Sequence, residues 1–237
     1  MTHAILTLEA HRDLRIRTER HAALGDAQMC CITVPTEFRA VQNEYPILFR
    51  LNEERTQFSA LAMFGFEPGE NLFLDETGWH ARYRPLAMEI QPFLIGGGPA
   101  DEGEKQVHVD LASPRIAQGE GMRVFDEVGR PTPYLERIAE LLGALDEGYR
   151  DSAGFFAALE RYELLEPFTL EVTLDDGSEN RLVGFHIINE DRLEALEGAA
   201  LADLQAGGHL LPIYMALASL ANLSALVARR NQRSAHG

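Results

Sequence analysis

The chain has 237 residues, with 21 Lys plus Arg against 37 Asp plus Glu and a formal net charge of −16. That balance excludes a protein that grips nucleic acid by its phosphates, because acidic residues far outnumber basic ones and the terminal cluster of cations is only Arg229, Arg230 and Arg233. With 46% hydrophobic and 24% charged residues the composition is that of a globular protein rather than a disordered one, and a buried core is expected.

Residues 1–21 carry charges throughout and hold no apolar run of signal-peptide length, so a cytoplasmic location is the expectation. The first strand is expected at 29–34, where the two cysteines, Cys30 and Cys31, are adjacent. Vicinal residues do not reach ordinary disulfide geometry, and on a strand they point to opposite faces. Without a CxxC pair or a nearby His they read as small buried hydrophobes. Further strands are expected at 47–51, 58–64, 80–83 and 107–111, and 71–79 (NLFLDETGW) reads as strand, turn, strand. The Gly-rich acidic stretch 96–104 (GGGPADEGE) reads as a connector, since it lacks the Gly-Lys-Ser/Thr ending of a phosphate-cradling loop.

At Thr132 and Pro133 the pattern changes to a helix with Leu135, Ile138, Leu141, Leu142 and Leu145 on one face. A second helix is expected over about 151–165, burying Phe155, Phe156, Leu159 and Tyr162. LEVTLDDGSENRLVGFHII then gives two alternating runs joined at Asp176 and Gly177, an antiparallel hairpin. A short helix opened by Asn189, another near 199–206 and a long final helix follow. Residues 166–207 hold ten acidic and two basic side chains, half the net charge, read as turn and solvated face. Residues 208–228 carry no formal charge and precede the arginines, a length that spans a bilayer core of about 30 Å. Pro212, Ser219, Asn222, Ser224 and the alanines favour a core helix, or a homodimer interface, over a tail anchor. The fold class is α+β: a mostly antiparallel, β-rich N-terminal half (25–130) and a C-terminal part (131–230) with a helix pair, a β-hairpin and terminal helices, in one domain.

Landmarks along the chain are Glu37-Phe38, Tyr45-Pro46-Ile47, Phe49, Gly65, Asn71-Leu72-Phe73, Asp75, Gly78-Trp79, Tyr83 and Pro85. They continue with Pro92-Phe93, Phe125-Asp126-Glu127, Gly129, Gly184-Phe185, Glu190, Leu193, Gly208, Ile213-Tyr214 and Ser219-Leu220. In this order, over about 25–226, the sequence resembles the SapC family of bacterial surface-layer-associated proteins. The family carries a basic pair just ahead of a Tyr-Pro-Phe triplet, whereas this chain has Glu89-Ile90-Gln91-Pro92-Phe93. The resemblance implies a setting beside TonB-dependent outer-membrane receptors and flavin-dependent tryptophan-halogenase-like enzymes. It brings no catalytic residues with it.

Two groups of residues carry candidate chemistry. Trp79, the single tryptophan, with Asn71, Arg82, Tyr83 and Arg84, forms a candidate aromatic and cationic surface for a peptide or protein partner. The competing reading buries Trp79, Ala81 and Tyr83 on one strand face. His108-x-Asp110 places two ligands on one side of a strand, and His186 would complete a facial triad for Fe(II), with Arg192 near a co-substrate carboxylate. No GxSxG or SxxK motif is present, and Ser113 and Ser152 have no motif context. The expectation is therefore a non-catalytic, cofactor-free accessory or binding protein, and its rival is a non-haem iron oxygenase.

Overall fold

The structure is a computed structural model that describes residues 3–96, 105–175 and 177–236. The connector at 97–104 and Asp176 of the hairpin turn lie outside the described residues. In chain order the elements are β1 (His3–Ile5), α1 (Leu8–His11), β2 (Arg15–Ile16), a 3-10 turn (Ala22–Leu24), β3 (Cys30–Thr33), α2 (Phe38–Val41), β4 (Ile47–Leu51) and β5 (Phe58–Met63). Then come β6 (Leu74–Asp75), β7 (Gly78–Trp79), α3 (Leu86–Glu89), β8 (Phe93–Gly96), β9 (Gln106–Asp110), β10 (Ile116–Ala117), β11 (Met122–Arg123) and α4 (Pro133–Arg161). The chain ends with β12 (Leu165–Thr173), β13 (Glu179–Ile188), α5 (Glu190–Glu194), α6 (Gly198–Ala206), α7 (Leu210–Ser219) and α8 (Asn222–His236). The described strand pairings are antiparallel, and the fold class is α+β.

The chain forms two compact units, each assembled from three stretches: 1–27, 74–80 and 86–147 for the first, 28–73, 81–85 and 148–237 for the second. The first holds sheets β1-β9-β8, β10-β2-β11 and the ribbon β6-β7. Its core joins Ile16, Ile90, Phe93, Val109, Val124 and Phe125 to Leu135, Ile138 and Leu142 of α4, and Leu141 and Leu145 pack partly against it, the helix face expected from the spacing. Thr132 caps α4, its hydroxyl accepting from the Leu135 amide at 3.4 Å and donating to the Arg123 carbonyl at 2.7 Å.

The first unit also buries an ion network that no sequence pattern announced. Arg115, 1% exposed, donates from Nη1 to the carbonyls of Arg17 and Glu19, both at 3.1 Å, and from Nη2 to Asp26 Oδ1 at 2.5 Å. Asp26 also accepts from Arg20 at 3.4 Å and from the His21 amide at 2.8 Å, and Arg20 reaches on to Glu89 and to the Met88 carbonyl. Glu89, standing where the resembled family has a basic pair, is thus engaged internally by a cation. Burial beside this network pushes the Tyr134 hydroxyl up to about 12.

The second unit is a five-stranded sheet, β12-β13-β4-β5-β3, covered by aromatic side chains. Phe155 meets Phe38, Phe49, Phe156 and His209 with ring centroids 5.6 to 6.5 Å apart. The expected pair of helices is one continuous helix, α4. Gly148 lies between the two expected helices; a Cβ there would come within 2.7 Å of Val34 Cγ2 and 2.8 Å of Thr36 Oγ1, so this glycine serves close packing within the continuous helix. Phe155, Phe156 and Leu159 are buried as expected, whereas Tyr162 is partly exposed and donates its hydroxyl to Asp203 at 2.7 Å. Asn189 caps α5 by accepting from the Arg192 amide at 2.8 Å. The expected final helix is divided at Leu220 and Ala221 into α7 and α8. Ser219 Oγ, fully buried, accepts the Ile47 amide at 2.8 Å and donates to the Ala216 carbonyl at 2.6 Å, which ties the helix end to the start of β4.

Candidate functional site

Residues 80–83 were expected to form a strand, and 81–85 belong to the second unit. β7 ends at Trp79, and the backbone of 82 and 83 is bonded instead by side chains. Glu44, just past α2, accepts the Arg82 amide on Oε1 at 2.8 Å and on Oε2 at 3.0 Å, and the Tyr83 amide on Oε1 at 3.1 Å. Tyr45, fully buried, donates its hydroxyl to the Tyr83 carbonyl at 2.6 Å. The Tyr83 hydroxyl donates to Glu37 Oε1 at 2.7 Å, and Thr33 donates to Glu37 Oε2 at 2.8 Å. A buried carboxylate and two tyrosines therefore hold a short loop that has no sheet partner of its own.

What this bracket presents is Arg82. Its side chain is exposed, and among the described residues nothing bonds its guanidinium. It stands in an open cleft of about 570 Å³ lined by Ala40, Asn43, Glu44, Arg82 and Tyr83. Asn43 spends its amide on the Arg39 and Ala40 carbonyls at the end of α2, and the Glu44 carboxylate is occupied by the two amides. The backbone that carries the cation is held by Glu44, and the guanidinium itself is open to the cleft.

The other expected binding residues take different places. Asn71 is buried and accepts the Phe73 amide at 2.9 Å, a local turn bond. Arg84 is half-buried in the same loop as Arg82 and Tyr83. Trp79 belongs to the first unit, half-buried opposite Leu74 in the β6-β7 ribbon. In the turn of that ribbon Asp75 accepts from the Thr77 hydroxyl and sits 2.8 Å from His80, and these bonds hold its carboxyl well below the usual carboxylate range.

His108 and Asp110 are both on β9 of the first unit, and His186 is on β13 of the second. The His108 ring stands over Gly96, where a Cβ would fall 2.2 Å from Nε2, and Asp110 Oδ1 accepts the Ala112 amide at 3.0 Å. Among the described residues no group of three or more His, Cys, Asp or Glu is arranged to hold a metal ion. His186 packs edge-on against Phe58, centroids 5.0 Å apart, with Nδ1 buried and without a hydrogen-bond partner among the described residues. Burial first, and then the Arg55 charge, lower its pKa from 6.5. The unfolded chain takes up this proton near pH 6.5 and the folded chain only below that. His186 therefore makes stability fall as pH drops from about 6.5 through its folded pKa, with its full contribution above that window. Urea midpoints measured across pH 7 to 5 are expected to fall more in the wild type than in His186→Leu; parallel curves would contradict this placement of the ring.

Arg192, expected near a co-substrate, pairs with Glu163 in a cleft of about 630 Å³. Arg161 in the same cleft pairs with Asp203 at 3.1 Å, so its cations are already matched. A cleft of about 820 Å³ in the first unit is similar: Arg12 donates to the Glu127 carbonyl at 2.9 Å and Arg15 to that of Gly121 at 3.3 Å. Burial pushes both Cys30 and Cys31 thiols up, away from the thiolate that a nucleophile needs. Both cysteines are free, Cys31 buried and Cys30 half-buried, on opposite faces of β3.

The family model named SapC matches residues 6–226. The chain belongs to the SapC family. No curated protein and no solved structure matches it. Within this SapC-family chain, the resemblance-bearing residues Glu37, Tyr45 and Tyr83 meet one another around the 81–85 loop, and Ile47 and Ser219 meet in the same unit. Reading the sequence singled out Arg82 and Tyr83 but missed Glu44 and the roles of Glu37 and Tyr45. The partners lie 38 to 46 residues apart, beyond any periodic signal, and only their presence among the family landmarks pointed to Glu37 and Tyr45.

Proposed function

We propose that this SapC-family chain is a cytoplasmic, non-catalytic accessory protein that recognises a peptide or protein partner through the Arg82 cleft of its second unit. The observation that carries the reading is the bracket itself. Glu37, Glu44 and Tyr45 bond polar groups of the loop, while its exposed side chain, Arg82, has no partner among the described residues. A guanidinium carried on a fixed backbone beside a tyrosine suits a carboxylate or a run of carbonyl oxygens, because its planar fork donates two parallel bonds. The complementary feature is an acidic side chain or a C-terminal carboxylate on the partner. An open cleft, with no activated thiol at Cys30 or Cys31, supports binding over turnover.

The partner we assign is a component of the surface-layer or TonB-dependent receptor setting implied by the SapC resemblance, either the receptor or the halogenase-like enzyme. Immobilised full-length chain is expected to retain one of these from purified candidates. Arg82→Ala should weaken retention about tenfold or more, the scale of a lost charge-assisted bond, with an unchanged circular dichroism spectrum. Failure to retain any of them, or equal retention by the variant, removes the reading.

A further inference from the structure

The last helix reaches the bracket of the Arg82 loop at two points. Asn222, Leu226 and Arg229 follow one another at intervals of four and three on α8, so they share one face, and Leu226 is buried. At the start of that face the Asn222 side-chain amide donates to the Gln42 carbonyl at 2.7 Å. Gln42 ends α2, two residues before Glu44, whose carboxylate holds the Arg82 and Tyr83 amides. About two turns further along α8, the Arg229 guanidinium lies over the Phe73 ring, 4.3 Å from its centroid. Phe73 packs on Tyr45 with centroids 4.6 Å apart, and Phe64 meets Tyr45 at 5.2 Å. Tyr45 is the residue whose hydroxyl donates to the Tyr83 carbonyl. Beyond Arg229, Arg230 pairs with Glu70 at 3.0 Å and Asn231 Oδ1 accepts the Asp175 amide at 3.1 Å. The run from Leu210 to Ala235 is long and apolar enough to cross a membrane by length and composition, yet Asn222, Arg229, Arg230 and Asn231 are all engaged within the second unit.

We propose that α8 is a brace for the Arg82 loop, with Asn222 and Arg229 as positioning residues, so that docking of α8 and occupation of the Arg82 cleft strengthen each other. The consequence for binding rests on the reading of Arg82 as the recognition residue; the brace itself needs no partner. The two contacts act on the two sides of one bracket. Asn222 fixes the turn that supplies Glu44, which takes the loop's amides, and Arg229 fixes the ring stack that ends in Tyr45, which takes its carbonyl. That turn is itself closed, since the Val41 carbonyl accepts both the Glu44 amide at 3.1 Å and the Tyr45 amide at 3.0 Å. Tyr45, Phe64 and Phe73 are all buried, and in a close-packed interior a ring does not shift without its neighbours, so a cation seated on Phe73 also limits Tyr45. Neither contact is to Arg82 itself, so any effect of removing them passes through the loop backbone. Coupling of this kind is reciprocal: a partner that orders the loop also holds α8 down.

Amide hydrogen exchange in the full-length 26.4 kDa chain, read residue by residue, is the test. Arg229→Ala should speed exchange of the Arg82 and Tyr83 amides at least about fivefold, the lower end of ordinary coupling between sites. The amides of Leu61 and Ala62, on a strand paired along both edges, should stay within about twofold of wild type. Asn222→Ala should act in the same way, and it decides the question should Arg229→Ala fail to fold. In a Tyr45→Phe chain, which lacks the bond to the Tyr83 carbonyl, Arg229→Ala should add less than about twofold, because its route to the loop is already cut. Toward the partner retained through Arg82, Arg229→Ala should weaken binding about fivefold or more. Unchanged exchange at Arg82 and Tyr83 overturns the proposal, as does an acceleration that Leu61 and Ala62 share. So does a full effect of Arg229→Ala in the Tyr45→Phe chain, or a partner affinity that Arg229→Ala leaves unchanged. If no partner binds, the Arg82 reading falls, and the exchange measurements still decide the brace.

Discussion

Asp26→Ala is expected to destabilise the first unit by about 3 to 5 kcal/mol, the cost of leaving a buried guanidinium without its counter-charge. Arg115 is 1% exposed and Asp26 0%, so neither recovers water when the other is removed. The two carbonyls that Arg115 also contacts, of Arg17 and Glu19, satisfy hydrogen bonds but supply no opposite charge, and among the described residues its Nε has no partner. Arg20 loses the same carboxylate but retains Glu89. The network is therefore asymmetric: Arg115 depends on Asp26, and Arg20 does not. Replacing both ends, as Asp26→Leu with Arg115→Met, should recover most of the loss, because an apolar pair of similar volume incurs no desolvation cost. Denaturant titration of the single and double variants checks this; a single variant within about 1 kcal/mol of wild type would show Arg115 to be solvated.

Phe155→Ala should cost the second unit about 3 to 5 kcal/mol, from lost transfer energy plus the cavity left among rings that cannot close over it. Phe155 is 2% exposed and touches rings from α2, β4, its own helix and the turn before α7, so its removal loosens several elements at once. Phe155→Leu keeps most of the volume and should cost about 1 to 1.5 kcal/mol. Tyr149, six residues earlier and 46% exposed, should tolerate alanine within about 0.5 kcal/mol. A loss for Phe155→Ala no larger than for Tyr149→Ala would contradict the packing described.

The parts of this fold that were legible in the sequence are those set by local period. β4 at Ile47–Leu51, the β12-β13 hairpin, the caps at Thr132 and Asn189 and the apolar face of α4 all follow from alternation, helical spacing or a capping side chain within a few residues. The departures occur where a distant residue overrides local preference. The helix expected to break between about 145 and 151 runs on through Gly148, which packs closely against Val34 and Thr36. Residues 80–83 alternate like a strand, yet Glu44 and Tyr45 take their backbone bonds. The candidate site was half visible for the same reason: Arg82 and Tyr83 stand out as residue types, while the side chains that fix them come from a stretch about forty residues away. The Arg115–Asp26 network was invisible, because its members sit 89 residues apart and charged residues are ordinarily read as surface.

Partner recognition through Arg82 is tested most directly by calorimetric titration of the retained partner into wild-type chain and into Arg82→Glu, at two salt concentrations. Binding by the wild type that weakens with salt, and a loss of about a hundredfold or more on charge reversal in a fully folded variant, is the predicted result. Equal affinity of the two proteins, with the same salt dependence, would contradict it.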